Sequence, residues 1–147
     1  MTAGGSDGAD AEREARRVSL LAEISTEMVK LFKEQFGRGP TVARAAWAGE
    51  DTLVVVLEDT LTPAERNLVR LGEHERLRET RSFFQYASVR EFCEPIERLT
   101  GRKVRAFISG IDTEAEGLAT EVFVLHPPGS DAPSRISRAE PRRAAAG

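Results

Sequence analysis

The run Gly37-Arg38-Gly39-Pro40 constrains the fold of this chain more than any other feature. Before it, apolar residues recur at three- and four-residue steps from 11 to 36, which predicts an amphipathic helix of about seven turns. Gly37 is a natural end for this helix. Gly39-Pro40 prevents its continuation, because proline has no N–H group and disfavours helix in the residue before it. The chain must therefore turn here and begin a different element.

Two strands and a helix start are predicted after this turn. Thr41–Ala48 and Thr52–Glu58 have the composition of strands and predict a β-hairpin with its turn at 49–51. Thr62 then stands as a helix N-cap, with Pro63 at the first helical position and Glu65 three residues after the cap. This is a capping-box signature, and it predicts a helix that begins at Pro63.

The helical pattern after Pro63 contains two interruptions. A bend is predicted near Leu71-Gly72, and Pro95 predicts either a kink near Glu91, which we favour, or a new short helix from Glu94. Gly101 supplies the C-terminal stop. The apolar face of this stretch is expected to consist of Leu77, Phe84, Val89, Phe92, Ile96 and Leu99.

A second predicted hairpin, Lys103–Ile111 and Leu118–Leu125 with a loop at 112–117, completes the pattern. The order α-β-β-α-α-β-β lacks a βαβ crossover. It predicts an α+β fold, in which a four-stranded, mainly antiparallel sheet packs helices on one face. The strand Thr52–Glu58 is apolar on both of its sides, so both faces of the sheet need cover. Self-association would supply that cover, and we expect a homodimer.

Length and composition indicate one domain between two tails. The 147 residues suffice for a single core, which we place at 11–126. Residues 1–10 and the Pro/Arg-rich segment 127–147 are expected to be disordered. Arginines in the C-terminal tail could attract anionic lipid or RNA weakly, although a solvated tail also explains them. They are Arg135, Arg138, Arg142 and Arg143.

Several classes of protein are disfavoured by the sequence. The longest apolar run, Leu53 to Leu57, is far shorter than the roughly 18 residues needed to span a bilayer, and no secretory signal is readable, so we expect a cytoplasmic location. Cys93, His74 and His126 do not have zinc-ligand spacing, so we expect neither a metal nor another cofactor. A net charge of -3 argues against a dedicated nucleic-acid binder, which usually carries a strongly basic surface.

The turn Gly37-Arg38-Gly39-Pro40 is the first candidate binding site. It could present backbone N–H groups and a guanidinium to a small anion. However, it lacks the lysine and Ser/Thr of a P-loop and it follows a helix, so it fails as a nucleotide motif. A helix stop followed by a tight turn explains the glycines but leaves Arg38 unexplained. Arg38 is therefore the strongest single candidate for a contact with a ligand or partner.

Arg81 and Asp112 are the other two candidates. Arg81 stands near Phe83, Phe84 and Tyr86, a composition found on stacking surfaces for single-stranded nucleic acid, although helical aromatics more often form core. Asp112 follows a strand and could act as an acid or ion ligand, or simply cap its own loop. Spacing pairs it with no second carboxylate, histidine or serine. We therefore expect no enzymatic activity.

Several short motifs follow one another in a characteristic order and spacing. They are Phe-Gly-Arg-Gly-Pro at 36–40, Leu-Thr-Pro-Ala-Glu at 61–65, Arg81, Leu-Thr-Gly at 99–101, Asp112 and Val-Phe-Val-Leu at 122–125. Through them the sequence resembles the MpsC-like family from about Val18 to His126. That resemblance implies a soluble accessory protein linked to membrane ion or inorganic-carbon transport, which would act by docking on a membrane partner or regulating one. We therefore expect a dimeric interaction protein, with a small-anion or nucleotide-binding regulator as the alternative.

Overall fold

A sheet and a layer of helices make up the part of the chain that the computed structural model describes, residues 4–138. The predicted α+β fold and its order α-β-β-α-α-β-β are confirmed. The elements are α1 (Gly4–Phe36), β1 (Val42–Trp47), β2 (Thr52–Glu58), α2 (Pro63–Arg70), α3 (His74–Ala87), α4 (Val89–Thr100), β3 (Val104–Asp112), β4 (Leu118–Leu125) and a 3-10 helix at Arg135–Arg138.

The sheet has the strand order β1-β2-β4-β3, and every neighbouring pair is antiparallel. Its two hairpins therefore meet along the β2–β4 pair. Side chains alternate across a pleated strand, so each strand has one row on either face. On β2 the row Leu53, Val55 and Leu57 is fully buried, while the residues between them are only half-buried. The helices thus cover one face of the sheet, as predicted.

The core lies between that covered face and two of the helices. α1 packs on β1 and α4 packs on β3. Ile24 and Met28 of α1 are fully buried in it, and so is Phe92 of α4. Phe92 stacks on Phe107 of β3, with 5.3 Å between the ring centroids. Hence both hairpins, α1 and α4 share one hydrophobic core.

Both chain ends differ from the expected tails. α1 begins at Gly4, whereas the sequence predicted disorder over 1–10, of which residues 1–3 lie outside the described range. Asp7 in the first turn favours a helix start, because a carboxylate complements the positive end of the helix dipole. Residues 5–19 of this helix are exposed.

The first part of the C-terminal tail packs on the domain. Ile136 of the 3-10 helix packs against the hydrophobic core. The Ser134 hydroxyl donates to a carboxylate oxygen of Glu97 at 2.6 Å, and Arg138 donates to the carbonyl of Arg105 at 3.3 Å. One apolar anchor and two hydrogen bonds thus hold residues that the composition predicted to be disordered. Arg142 and Arg143 lie outside the described range.

The helical interruptions are placed differently from the prediction in one case. The bend after α2 lies at Leu71-Gly72 as predicted, with Gly72 at φ +74°. A second break is at Ser88, which has φ -110° and ψ 27°. The alternative of a new short helix from Glu94 is wrong, because α4 runs unbroken from Val89 to Thr100, and the kink near Glu91 stays a prediction. Pro95 lies inside the continuous helix α4, since a helix can retain a proline when packing compensates for the lost hydrogen bond.

Candidate functional site

The turn at 37–40 is built by backbone requirements. Gly37 has φ +79° and its N–H donates to the carbonyl of Lys33 at 3.0 Å, so it ends α1 in the left-handed conformation that glycine adopts most easily. Gly39 passes close to α1, because a Cβ at this position would lie 3.3 Å from Cγ1 of Val29. Pro40 then leads into β1. Both glycines thus have structural reasons to be there.

Arg38 of this turn reaches the segment that connects β2 to α2, residues 59–65, which we call the 59–65 connection. Its Nη1 donates to the carbonyl of Leu61 at 2.7 Å, and its Nη2 donates to Asp59 Oδ2 at 3.0 Å. Asp59 Oδ1 accepts a further hydrogen bond from Arg66 at 3.1 Å. The hydrogen bond from Arg38 is the main cause that lowers the pKa of Asp59. The guanidinium that the sequence left unexplained therefore holds the end of β2.

Arg81 of α3 also binds the 59–65 connection, at Thr60 and Glu65. It is fully buried, and its guanidinium forms a bidentate ion pair with Glu65, with Nε–Oε2 at 2.6 Å and Nη2–Oε1 at 2.8 Å. It also donates to the Thr60 carbonyl at 2.6 Å and to the Thr60 hydroxyl at 3.1 Å. The ring of Phe36 lies 4.2 Å from the guanidinium carbon, within cation–π range.

Glu65 serves two partners at once. Its backbone N–H donates to the Thr62 hydroxyl at 3.2 Å and its Oε1 accepts from the Thr62 N–H at 2.8 Å, which completes the predicted capping box. Burial alone raises the pKa of Glu65, but hydrogen bonds from Arg81 and Thr62 and the positive charge of Arg81 outweigh it, so the pKa is lowered. The start of α2 therefore depends on a side chain from α3.

Asp112 shapes the loop that packs against the 59–65 connection. Its Oδ1 accepts hydrogen bonds from the backbone N–H groups of Glu114 at 2.9 Å and Ala115 at 3.1 Å, the self-capping role that the sequence offered as one alternative. Gly117 ends this loop at φ +74°, and a Cβ there would lie 2.5 Å from Cγ of Leu61. The Gly117 carbonyl accepts from the Thr60 hydroxyl.

The predicted site residues thus gather around one short segment, although they are far apart in sequence. They do so as structural ties: Arg38 and Arg81 bind the 59–65 connection, and Asp112 orders the loop that covers it. Sequence reasoning missed the segment's own residues, Thr60 and Asp59. Asp59 itself was a usable signal, because aspartate is one of the few non-glycine residues that adopt positive φ readily. Here it follows a buried strand directly and has φ +55°.

A groove of about 670 Å³ lies beside the tied segment, between α2 and the loop that joins β3 to β4. Arg66 and Arg70 stand one helical turn apart on one wall, and Glu114 and Glu116 stand on the other. Asp59 and Glu116, the two non-glycine residues with positive φ among residues 4–138, both line it. The complete lining is Asp59, Leu61, Arg66, Val69, Arg70, Thr113, Glu114 and Glu116.

A second buried polar group lies under α3. Glu121 of β4 is fully buried, and its Oε1 accepts from Gln85 Nε2 at 3.0 Å. Its Oε2 has no hydrogen-bond partner among the described residues, and Ser109 stands directly across the β3–β4 ladder. Burial raises the pKa of Glu121 to about 8. Sequence reasoning missed this residue, although its place in the alternating row with Ala119 and Phe123 could have shown that it faces the core.

The uncovered side of the sheet, which we call the open face, carries apolar residues on all four strands. Cross-strand register puts Val54 of β2 between Ala46 of β1 and Val122 of β4, and Val122 opposite Ile108 of β3. One apolar row therefore crosses all four strands, and Ile108 in it is 56% exposed. Val56 and Val124 extend this surface on either side. The described residues place no helix over it.

The described part of the chain offers little for metal or thiol chemistry. Among residues 4–138, no three His, Cys, Asp or Glu side chains are grouped so that they could hold a metal ion. Cys93 is buried, and burial raises the pKa of its thiol to about 12. None of the helices described over 4–138 has the length and apolar character needed to cross a membrane.

Comparison with known families decides the identity at the level of the family. Residues 16–127 match the family described as MpsC, a Na+-translocating membrane potential-generating system. The chain belongs to the MpsC family. The matched range includes the 59–65 connection of this MpsC chain and all the residues described above as binding it. No curated protein and no solved structure matches the chain.

Proposed function

We propose that this MpsC chain is a non-enzymatic accessory component of a membrane-potential-generating system, and that it works by protein contact as a homodimer at the cytoplasmic side of the membrane. Its family supports the link to such a system. The open face supports the mode of action, because contiguous apolar surface on a soluble domain commonly marks a docking site. In this proposal the open face binds a membrane-embedded component of the system.

The polar groups of the candidate site support a role without catalysis. Arg81 and Glu65 satisfy each other in a buried bidentate pair, and Arg38 is occupied by Asp59 and the Leu61 carbonyl. Groups that hold each other in this way stabilise a fold, whereas a catalytic group has to reach a substrate. The apolar row Ala46, Val54, Val122 and Ile108 is the single observation that carries the proposal.

The experiment is complementation in a cell that lacks the gene for this chain. We expect the deletion to lower the membrane potential, read with a voltage-sensitive dye, and the wild type to restore it. Val122→Lys puts a charge in the centre of the apolar row and should fail to restore it. Thr26→Lys, an exposed position on α1, is the control and should restore it. An unchanged potential in the deletion strain, or full restoration by Val122→Lys, would overturn the proposal.

The groove favours a second candidate function, a small-anion or nucleotide-binding regulator. Arg66 and Arg70 line one wall. Arg66 is joined to the turn at 37–40 by Asp59, which accepts hydrogen bonds from both Arg66 and Arg38. Guanidinium forks bind phosphate and carboxylate well. A thermal-shift screen with phosphate, bicarbonate and nucleotides tests it, since a ligand at a hundred times its dissociation constant stabilises by about 2.7 kcal/mol. Stabilisation of the wild type and not of Arg38→Ala or Arg70→Ala supports this candidate, and no stabilisation removes it.

A further inference from the structure

Helix α3 has its polar and apolar faces reversed relative to an ordinary surface helix. Its buried residues are Leu77, Arg81 and Gln85, so two of the three are polar. Its most exposed large hydrophobic residues are Phe83 at 70% and Phe84 at 49%. A surface helix normally turns its apolar stripe toward the core. Here the inward face is held by ion pairs and hydrogen bonds, and the aromatic face is left outside.

The exposed aromatic residues form one continuous stripe, which we call the α3 stripe: Thr80, Phe83, Phe84 and Ala87. These positions lie three and four residues apart, so they share one side of the helix. The two phenylalanine rings pack edge to face, with centroids 5.6 Å apart. None of the four residues is charged, and all are exposed. Depletion of charge around exposed aromatics is the composition found at the centre of protein interfaces.

We propose that the α3 stripe is the contact between two copies of this chain, which pack α3 against α3 in antiparallel orientation about a two-fold axis. This inference rests on the homodimer proposed above and locates its interface. It leaves the open face of the sheet for the membrane component. A two-fold contact uses the same patch on both subunits, so the patch must be complementary to itself.

The order of side chains in the α3 stripe satisfies this condition. An axis placed between Phe83 and Phe84 sets Phe83 against the partner's Phe84, and the reverse. The same axis sets Thr80 against the partner's Ala87. Large residues thus meet at the centre, and small residues on either side leave room for the rings to interlock. A register displaced by one turn would instead set rings against charged residues such as Arg76.

The exposed area is of the size that such a contact needs at its centre. A phenylalanine side chain buries on the order of 150–250 Å², so the exposed fractions of Phe83 and Phe84 amount to roughly 250 Å² per copy. A standard interface buries about 800 Å² per partner. The two rings therefore supply nearly a third of it, and the polar residues around the stripe supply the rim. Tyr86, which is 42% exposed, extends the aromatic surface toward β3.

The first test is the mass of the full chain in solution by light scattering and sedimentation. The wild type should have twice the 16.1 kDa of one chain. Phe83→Glu should be monomeric, with a dissociation constant raised at least a hundredfold. Leu71→Glu is the matched control, because Leu71 is 74% exposed and lies outside the α3 stripe, and it should remain dimeric. Circular dichroism of each variant checks that the fold is retained.

The second test reads the register by cysteine cross-linking. Thr80→Cys and Ala87→Cys are made separately, and Cys93 does not interfere because it is buried. Under mild oxidation, a mixture of the two variants should form a disulfide-linked dimer, while either variant alone should cross-link at least tenfold less. A cross-link of equal yield in each variant alone contradicts the antiparallel register.

The outcomes separate this inference from the proposed function. A dimeric wild type that stays dimeric in Phe83→Glu overturns the α3 interface and leaves the proposed homodimer standing. The mass of the wild type is also measured at 100 times the concentration used for the variants. If the wild type is still monomeric there, both the interface and the homodimer are overturned. The role in membrane potential is judged by Val122→Lys, which lies on the other side of the molecule and should leave the mass unchanged.

Discussion

Replacement of Glu121 by glutamine should stabilise the protein, and the gain should grow with pH. The carboxyl group of Glu121 is fully buried, and burial raises its pKa from 4.5 to about 8. In the folded chain it therefore keeps its proton at neutral pH, whereas in the unfolded chain it releases it above pH 4.5. The unfolded state binds fewer protons in this window, so the free energy of unfolding falls as pH rises from 4.5 to 8.

The size of the effect follows from the same pKa values. Each unit of pH between the two values costs 1.36 kcal/mol, so at pH 7 the wild type has lost about 3 kcal/mol relative to pH 4. Glutamine has the same shape, can accept the hydrogen bond from Gln85, and does not ionise. Glu121→Gln should therefore be more stable than the wild type by about 3 kcal/mol at pH 7 and nearly equal to it at pH 4.

The assay is urea unfolding of both proteins at pH 4, 5.5, 7 and 8, supported by thermal scans. For a domain of this size, 3 kcal/mol corresponds to a rise in Tm of about 9 °C. Glu114→Gln is the control, because it makes the same change of side chain at an exposed position and should not reproduce the stabilisation at pH 7. A difference between Glu121→Gln and the wild type that stays constant from pH 4 to 8 would refute the reasoning, since it would mean that Glu121 ionises normally in the fold.

Three further predictions concern the ties around the 59–65 connection. Gly117→Ala should lose about 2–4 kcal/mol in chemical unfolding, because φ is positive and the new Cβ would meet Leu61, whereas Gly49→Ala, at positive φ in open space, should lose only about 1–2 kcal/mol. Arg81→Leu should lose about 3–5 kcal/mol at pH 7 and less at pH 4, measured by urea unfolding, because it leaves the Glu65 carboxylate buried without its partner. Arg38→Ala should lose about 1 kcal/mol at pH 7. Because Arg38 lowers the pKa of Asp59, the wild type loses this contribution as pH falls through that lowered value, so the two proteins should converge in stability in acid.

The element order could be predicted because its signals are local. Gly37 and Gly39-Pro40 end a helix by backbone sterics alone, and Thr62 with Glu65 starts one by a hydrogen-bond pattern within four residues. Gly101 ends α4 in the left-handed conformation at φ 69°, again as expected. Each of these signals acts within one turn of chain, so tertiary packing did not change its meaning.

The environment of α3 could not be predicted, because it depends on residues that are distant in sequence. Arg81 was a candidate because aromatic residues stand near it in the sequence, and nothing in that neighbourhood shows that its guanidinium binds Glu65 and Thr60 in the core. Phe84 was expected on the apolar face with Leu77, and this is wrong, since Phe84 is 49% exposed. Polar partners from the 59–65 connection and from β4 outweighed hydrophobicity in deciding which side of α3 turns inward.

The ties around the 59–65 connection also bear on the order in which the chain folds. They join Arg38 to Leu61, Arg81 to Glu65 and Thr60 to Gly117, across separations of 23, 16 and 57 residues. Loops of this length are costly to close before other contacts hold their ends, so these bonds should form after both hairpins and α3 are in place. Contacts absent from the transition state slow unfolding without speeding folding. The 59–65 connection would then be the last part of the domain to become fixed during folding and the first to come loose during unfolding.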